Sequence, residues 1–193
     1  LHRELAKPLD FQTRGQTPQE VVDKISQRIG EPFQAVGAAS AALRGGEKLA
    51  EELNGISAGT ALAATIRPLG LVFEPRRQQG RELELRIVDF RDSQENWPVG
   101  WPIEIPPVRA EPKLFERLEL EIRGFPLSDA LNAIERRVGV PFFYDHNSFA
   151  RHGVNPSQTR VTLVQEKVSF MVAIDKLLRQ SKPKLKYELR QDE

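Results

Sequence analysis

The chain has 193 residues, 39% of them hydrophobic and 28% charged, which excludes wholesale disorder and leaves room for two domains of about 80–100 residues each. Its 28 basic and 27 acidic residues give a net charge of +1, without the basic excess that marks a nucleic-acid-binding surface. There is no cysteine, which excludes a disulfide framework, thiolate catalysis and thiolate-bound zinc, and no apolar run approaches the ~20 residues of a membrane span.

The first predicted element is a strand over Leu9 to Phe11, where apolar side chains alternate. A turn at Gly15 follows, and Thr17-Pro18 marks a helix start because proline at the first helical position gives up no hydrogen bond. Val21, Val22, Ile25 and Ile29 lie at helical spacing, Gly30 suits a left-handed cap and Pro32 stops the helix from resuming. A strand-like run spans Phe33 to Val36. Ala38 to Leu53 then reads as helix interrupted at Gly45-Gly46, with Glu51-Glu52 on its solvated face. A second amphipathic helix around Ala61 to Arg67, a strand at Leu71 to Phe73 and an extra strand over Glu82 to Val88 complete the first half. The basic clusters Arg76-Arg77 and Lys182 to Lys186 read as solvated surface.

Asn96 to Pro112 (NWPVGWPIEIPPVRAEP) carries five prolines and is expected to be extended and semi-rigid, closer to polyproline II than to helix. Beyond it the opening pattern returns. Leu118 to Phe142 aligns without a gap on Leu9 to Phe33 at an offset of 109 (118 − 9), with identities at Arg14/Arg123, Gly15/Gly124, Ile25/Ile134, Gly30/Gly139 and Pro32/Pro141. Leu118, Leu120 and Ile122 alternate as on a strand; Leu127, Ala130, Leu131, Ile134 and Val138 have helical spacing. Phe142 to Tyr144 reads as a strand, Arg160 to Val168 alternates with period two, Ala173 to Arg179 matches the second helix, and Leu185 to Tyr187 matches the strand after it.

The expected fold class is therefore α+β: two tandem βαβ(β)αβ modules, each a small sheet packed against two helices. The boundaries are residues 1–95 with a helical insertion, a Pro/Trp-rich linker at 96–112, and 113–193. Leu9-Asp10-Phe11, Val22 to Gly30, Ala61-Leu62, Ile66 and Gly70-Leu71-Val72-Phe73, with Leu118 to Ile122, Ala130-Leu131, Gly139 and Ala173-Ile174…Leu178 in the second copy, make each unit resemble the short N-terminal domain of secretins and TonB-dependent receptors. The 38–53 segment is an insertion relative to that pattern, and Gln180 to Lys184 replaces its single-glycine turn. The resemblance implies a periplasmic or cell-envelope module that contacts other proteins and has no catalytic residues. A start at Leu1 and a stop at Glu193 after a strand-like segment lead to the expectation of a fragment cut from a longer protein.

Candidate sites are sparse. Trp97 and Trp101 either pack the linker onto a domain face or form an exposed docking point. Arg14 and Arg123, shared by both copies, either position the turn through a salt bridge or contact an anion. Asp145-His146-Asn147…Arg151-His152 reads as a polar loop ending at Gly153; a metal could use Asp145, His146 and His152, but the spacing fits no ligand motif. No GxSxG elbow, phosphate loop or dinucleotide fingerprint occurs. The expected function is a non-catalytic interaction or scaffolding module without cofactor, nucleic acid or membrane insertion, whose partner is another protein or peptide. Strand addition at Phe142 to Tyr144, Val161 to Val164 or Leu185 to Leu189 is the expected mode. The alternative is a metal-dependent hydrolase using the Asp145–His152 loop.

Overall fold

The structure is a computed structural model that describes residues 1–77, 83–93 and 95–192. The protein is of the α+β class and divides into two compact units, Leu1–Trp101 with Asp192–Glu193 and Pro102–Gln191, each with its own hydrophobic core. Among the described residues no helix is long and apolar enough to cross a membrane.

The first unit opens with a single helical turn, α1 (His2–Leu5), that buries Leu5. Helix α2 (Pro18–Ile29) begins with a complete capping box: the Thr17 hydroxyl accepts from the Glu20 amide, and the Glu20 carboxylate accepts from the Thr17 amide at 2.7 Å. It ends on Gly30 at φ 74° and turns Val21, Val22 and Ile25 into the core. Strand β1 (Phe33–Ala35) and helix α3 (Ala39–Gly45) follow. Helix α4 (Ala58–Ile66), capped by Ser57, is buried on nearly every side, as its small and apolar sequence AGTALAATI permits. A 3₁₀ turn at Arg67–Leu69 leads to β2 (Leu71–Arg77), and β3 (Leu83–Asp89) completes a sheet in the order β1-β3-β2, with β1 parallel and β2 antiparallel to β3.

Several expectations for this unit are corrected. Leu9 to Phe11 is not a strand. Its backbone bonds go to the irregular stretch after α3: Leu9 and Ile56, Gly55 and Leu9, Gly15 and Leu49, and Leu49 and Gln16 pair at 2.8–2.9 Å. Two irregular segments bridged this way satisfy their polar groups without a regular ladder. The helix expected over 38–53 stops at Gly45. At Gly46 a β-carbon would lie 2.7 Å from Pro18 Cγ, so the chain passes the start of α2 where only glycine fits. The extra strand runs from Leu83 to Asp89, and Glu82 of the expected span lies outside the described residues.

In the second unit, Pro107–Ala110 forms the single turn α5 and Pro112–Phe115 a 3₁₀ turn that buries Leu114. The expected extended linker is thus partly helical, because proline at a first helical position costs no hydrogen bond. Strand β4 (Arg117–Pro126) leads directly into helix α6 (Leu127–Val138), which buries Leu127, Ala130, Leu131, Ile134 and Val138 and ends on Gly139 at φ 76°. Helix α7 (His146–His152), strand β5 (Arg160–Ser169) and helix α8 (Phe170–Leu178) complete the unit. Strands β4 and β5 pair antiparallel as a two-stranded sheet, against which α6 and α8 pack.

Helices α2 and α6 follow the 109-residue repeat, each having 12 residues and ending on a left-handed glycine, while α4 and α8, each of 9 residues capped by a serine, are offset by 112 (170 − 58). The sheets do not follow the repeat. Phe142 to Tyr144 and Leu185 to Leu189, both expected as strands, are irregular. The Phe142 amide donates to the Glu135 carboxylate at 3.3 Å, and the Leu185 amide donates to the Ser181 hydroxyl at 3.0 Å. A backbone donor used in this way cannot join a ladder. A two-residue strand, Arg190–Gln191, begins only after the second of these segments.

Candidate functional site

The tryptophans belong to the first core. Trp97 is 8% exposed, stacks on Phe73 at 5.6 Å between ring centroids and meets Trp101 edge-on at 5.6 Å. A β-carbon on Gly59 would lie 2.6 Å from Trp97 Nε1, so the indole rests directly on the backbone of α4. Trp101 is partly buried against the same core. Arg14 and Arg123, aligned in the repeat and each followed by a glycine, do different things. Arg14 Nε donates to the Ala50 carbonyl at 2.9 Å, while Arg123 pairs with Glu121 at 2.6 Å.

The segment read as a polar loop is helix α7. Asp145 caps it, its carboxylate accepting from the Ser148 amide at 2.9 Å, and Gly153 ends it at φ 63°. His152 Nδ1 lies 2.8 Å from the Ser148 carbonyl one turn back, and the His146 ring packs edge-on to Tyr144 at 6.1 Å. Asp145 and His152 are thus each hydrogen-bonded within their own helix. Among the described residues no group of three or more histidine, aspartate or glutamate side chains is placed to hold a metal ion.

Glu51-Glu52 does not lie on a helix face. The Glu52 carboxylate accepts from the Thr13 amide at 3.0 Å, the Thr13 hydroxyl at 3.2 Å and the Asn54 amide at 3.0 Å. The Thr13 side chain is fully buried and also accepts from the Leu53 amide at 2.8 Å. Partial burial works to raise the Glu52 carboxyl, but the amides of Thr13, Asn54 and Arg14 with the Thr13 hydroxyl outweigh it and hold the group below the ordinary glutamate range. A depressed folded value means that the ionised carboxylate contributes stability above the unfolded value, and the contribution is lost as pH falls through the folded one. Glu52→Gln is therefore expected to lower first-unit stability at neutral pH, with the difference from the parent shrinking as pH falls below the ordinary glutamate range. Denaturant melts at a series of pH values check this; a difference that grows on acidification would contradict it.

The sheet edges are where the two units differ most. In the first unit β1 is only three residues long, and the β2 edge is blunted by Pro75, which has no N–H, and by the Trp97 amide donating to the Phe73 carbonyl at 3.1 Å. In the second unit each strand of the two-stranded sheet pairs on one side only among the described residues. The β5 side is interrupted twice. At Thr162, which has no register partner on β4, the Gln180 side-chain amide takes both backbone groups: the Thr162 amide donates to Oε1 and Nε2 donates to the Thr162 carbonyl, each at 2.9 Å. Between Leu163 and Glu166 the ladder gains an extra residue on β5, since three steps there face two on β4 from Leu120 to Ile122. The β4 side keeps an unbroken register from Arg117 to Leu120 and carries no extra residue of its own until after Ile122, where Gly124 has φ 65°. Along that run Leu118, Leu120 and Ile122 are half-buried against the core, and Glu119 and Glu121 are exposed.

Of the three segments expected to offer a strand edge, only Val161 to Val164 lies in a strand. The β4 run was missed as an edge although its period-two pattern marked it as a strand. Which side of a strand stays open depends on pairing that no local pattern encodes. No family model matches the chain, and no curated protein or solved structure matches it.

Proposed function

We propose that the chain is a non-catalytic interaction module whose second unit binds an extended segment of another protein by adding it as a third strand beside β4. The observation that carries this reading is the β4 stretch Arg117–Ile122, in unbroken register from Arg117 to Leu120, which among the described residues pairs on one side only, with β5. Such an edge offers main-chain donors and acceptors in register, each worth about 0.5–1.5 kcal/mol net when paired. The half-buried Leu118, Leu120 and Ile122 would gain cover from alternate side chains of the incoming strand. A setting in the cell envelope, as a piece of a longer protein, belongs to the same proposal. Its support is the residue pattern shared with the short N-terminal domain of secretins and TonB-dependent receptors, whose helical part coincides with α2 and α6.

The test is titration of the ¹⁵N-labelled chain with pooled random octapeptides, read by amide shifts and hydrogen exchange. At least one pool is expected to shift the amides of Arg117–Ile122 and slow their exchange. If every pool leaves those amides unchanged, the reading is wrong.

A further inference from the structure

We infer that the β4 edge selects an extended strand in which apolar residues alternate with basic ones, and that Gln180 confines strand addition to this edge. The inference rests on the proposed role of β4 as a strand acceptor and specifies its partner.

The chemistry follows from the two faces of the run. On the face toward the core stand Leu118, Leu120 and Ile122, each half-buried. On the outer face the central positions are Glu119 and Glu121, both exposed, with Arg117 and Arg123 at the two ends. An added strand places side chains about 4.5–5.5 Å from those directly opposite. A partner that alternates therefore sets one series against Leu118, Leu120 and Ile122 and the other against the two glutamates. Glu119 accepts from Gln165 at 2.8 Å, and Glu121 pairs with Arg123, whose side chain is 79% exposed and free to rotate aside. Neither carboxylate is buried, so each can face an incoming cation. Lys167 stands opposite Glu119 in the β4–β5 register, so a basic residue is already accommodated beside that carboxylate on the occupied side.

One side chain closes the other edge at Thr162. A carboxamide carries the same donor and acceptor as a peptide group, and Gln180 presents both to Thr162 as a neighbouring strand would. Its Nε2 is also 3.1 Å from the Lys176 carbonyl, which fixes the amide at the end of α8. With the register shift after Leu163, no run longer than a few residues is left on β5 for another strand. Val164, 77% exposed, sits within that shift.

The experiment uses the whole chain and three pentapeptides with valine at both ends, matched in length to Leu118–Ile122 so that their two charged residues face Glu119 and Glu121 alone, at low ionic strength, where screening is weak. One alternates valine and lysine, one alternates valine and glutamate, and one is the valine/lysine peptide with alternate backbone nitrogens methylated. The valine/lysine peptide is expected to bind about tenfold more tightly than the valine/glutamate peptide, as two favourable cross-strand charge pairs replace two repulsive ones. It should shift the amides of Arg117–Ile122, and the methylated peptide should not. The double variant Glu119→Lys, Glu121→Lys should reverse the preference, and Gln180→Ala should speed exchange of the Thr162 amide. Equal or better binding of the valine/glutamate peptide at β4 overturns the charge inference while leaving the edge itself as the acceptor. Binding that survives backbone methylation overturns strand addition. If no pentapeptide shifts the β4 amides, the proposed function fails with it. Unchanged exchange at Thr162 in the Gln180→Ala variant overturns the closure of β5.

Discussion

Phe73→Ala is expected to cost the first unit about 3–5 kcal/mol and to unfold it well below the parent's transition. Phe73 is fully buried, meets Phe33 edge-on at 6.0 Å and supports the stacked Trp97 indole. Its removal leaves a cavity under the three-stranded sheet of the unit, and the surrounding rings are too rigid to close it. A domain of this size is normally stable by only about 5–15 kcal/mol. The cores of the two units are separate clusters, so the loss is expected to fall on the first unit alone. An NMR spectrum of the variant should lose dispersion for α2, α4 and β2 while the amides of β4, β5 and α6 hold their positions. A melt indistinguishable from the parent's would show that Phe73 is not the keystone described.

The second large effect is expected from Leu177→Ala. Leu177 lies on α8 and is fully buried in a core that includes Leu127, Ile134, Val161 and Leu163. The substitution should cost about 2–5 kcal/mol. The second unit has less to absorb it, since its sheet has two strands and an isolated hairpin is at best marginal without helices packed on it. Loss of α8 packing should therefore remove the β4–β5 sheet and with it the strand-accepting edge. Hydrogen exchange of the β5 amides checks this directly, and Leu177→Met, which conserves volume and should cost less than about 1.5 kcal/mol, serves as the folded control. If Leu177→Ala keeps slow exchange at Val161 and Leu163, the packing account fails.

How far the fold could be read from the sequence depended on how local the signal was. Helices α2 and α6 were legible because their starts, stops and apolar stripes all lie within a dozen residues: Thr17-Pro18 with Gly30, and Pro126 with Gly139. Helix α7 carried the same kind of signal, Asp145 at its cap and Gly153 at its end, but its polar composition read as a loop. The strands were less legible because an alternating segment becomes a strand only if another segment takes its hydrogen bonds. Leu118 to Ile122 found β5, while Leu9 to Phe11, with similar alternation, found only the irregular chain near Ile56. Of the candidate site, the alternation of β4 was visible and the clamp on β5 was not. Nothing in the sequence distinguishes Gln180 from any other exposed glutamine until α8 brings it beside Thr162.

The burial of Trp97 has a spectroscopic consequence. The chain's two tryptophans, Trp97 and Trp101, both fall in the first unit, and the second unit's chromophores are Tyr144, Tyr187 and phenylalanines. Red-edge excitation therefore lights up one half of the molecule. Indole emission will track the melting of Leu1–Trp101 and stay silent while β4 and β5 open, whereas far-ultraviolet dichroism sees both. Two probes that disagree would here report where the chain loosens first.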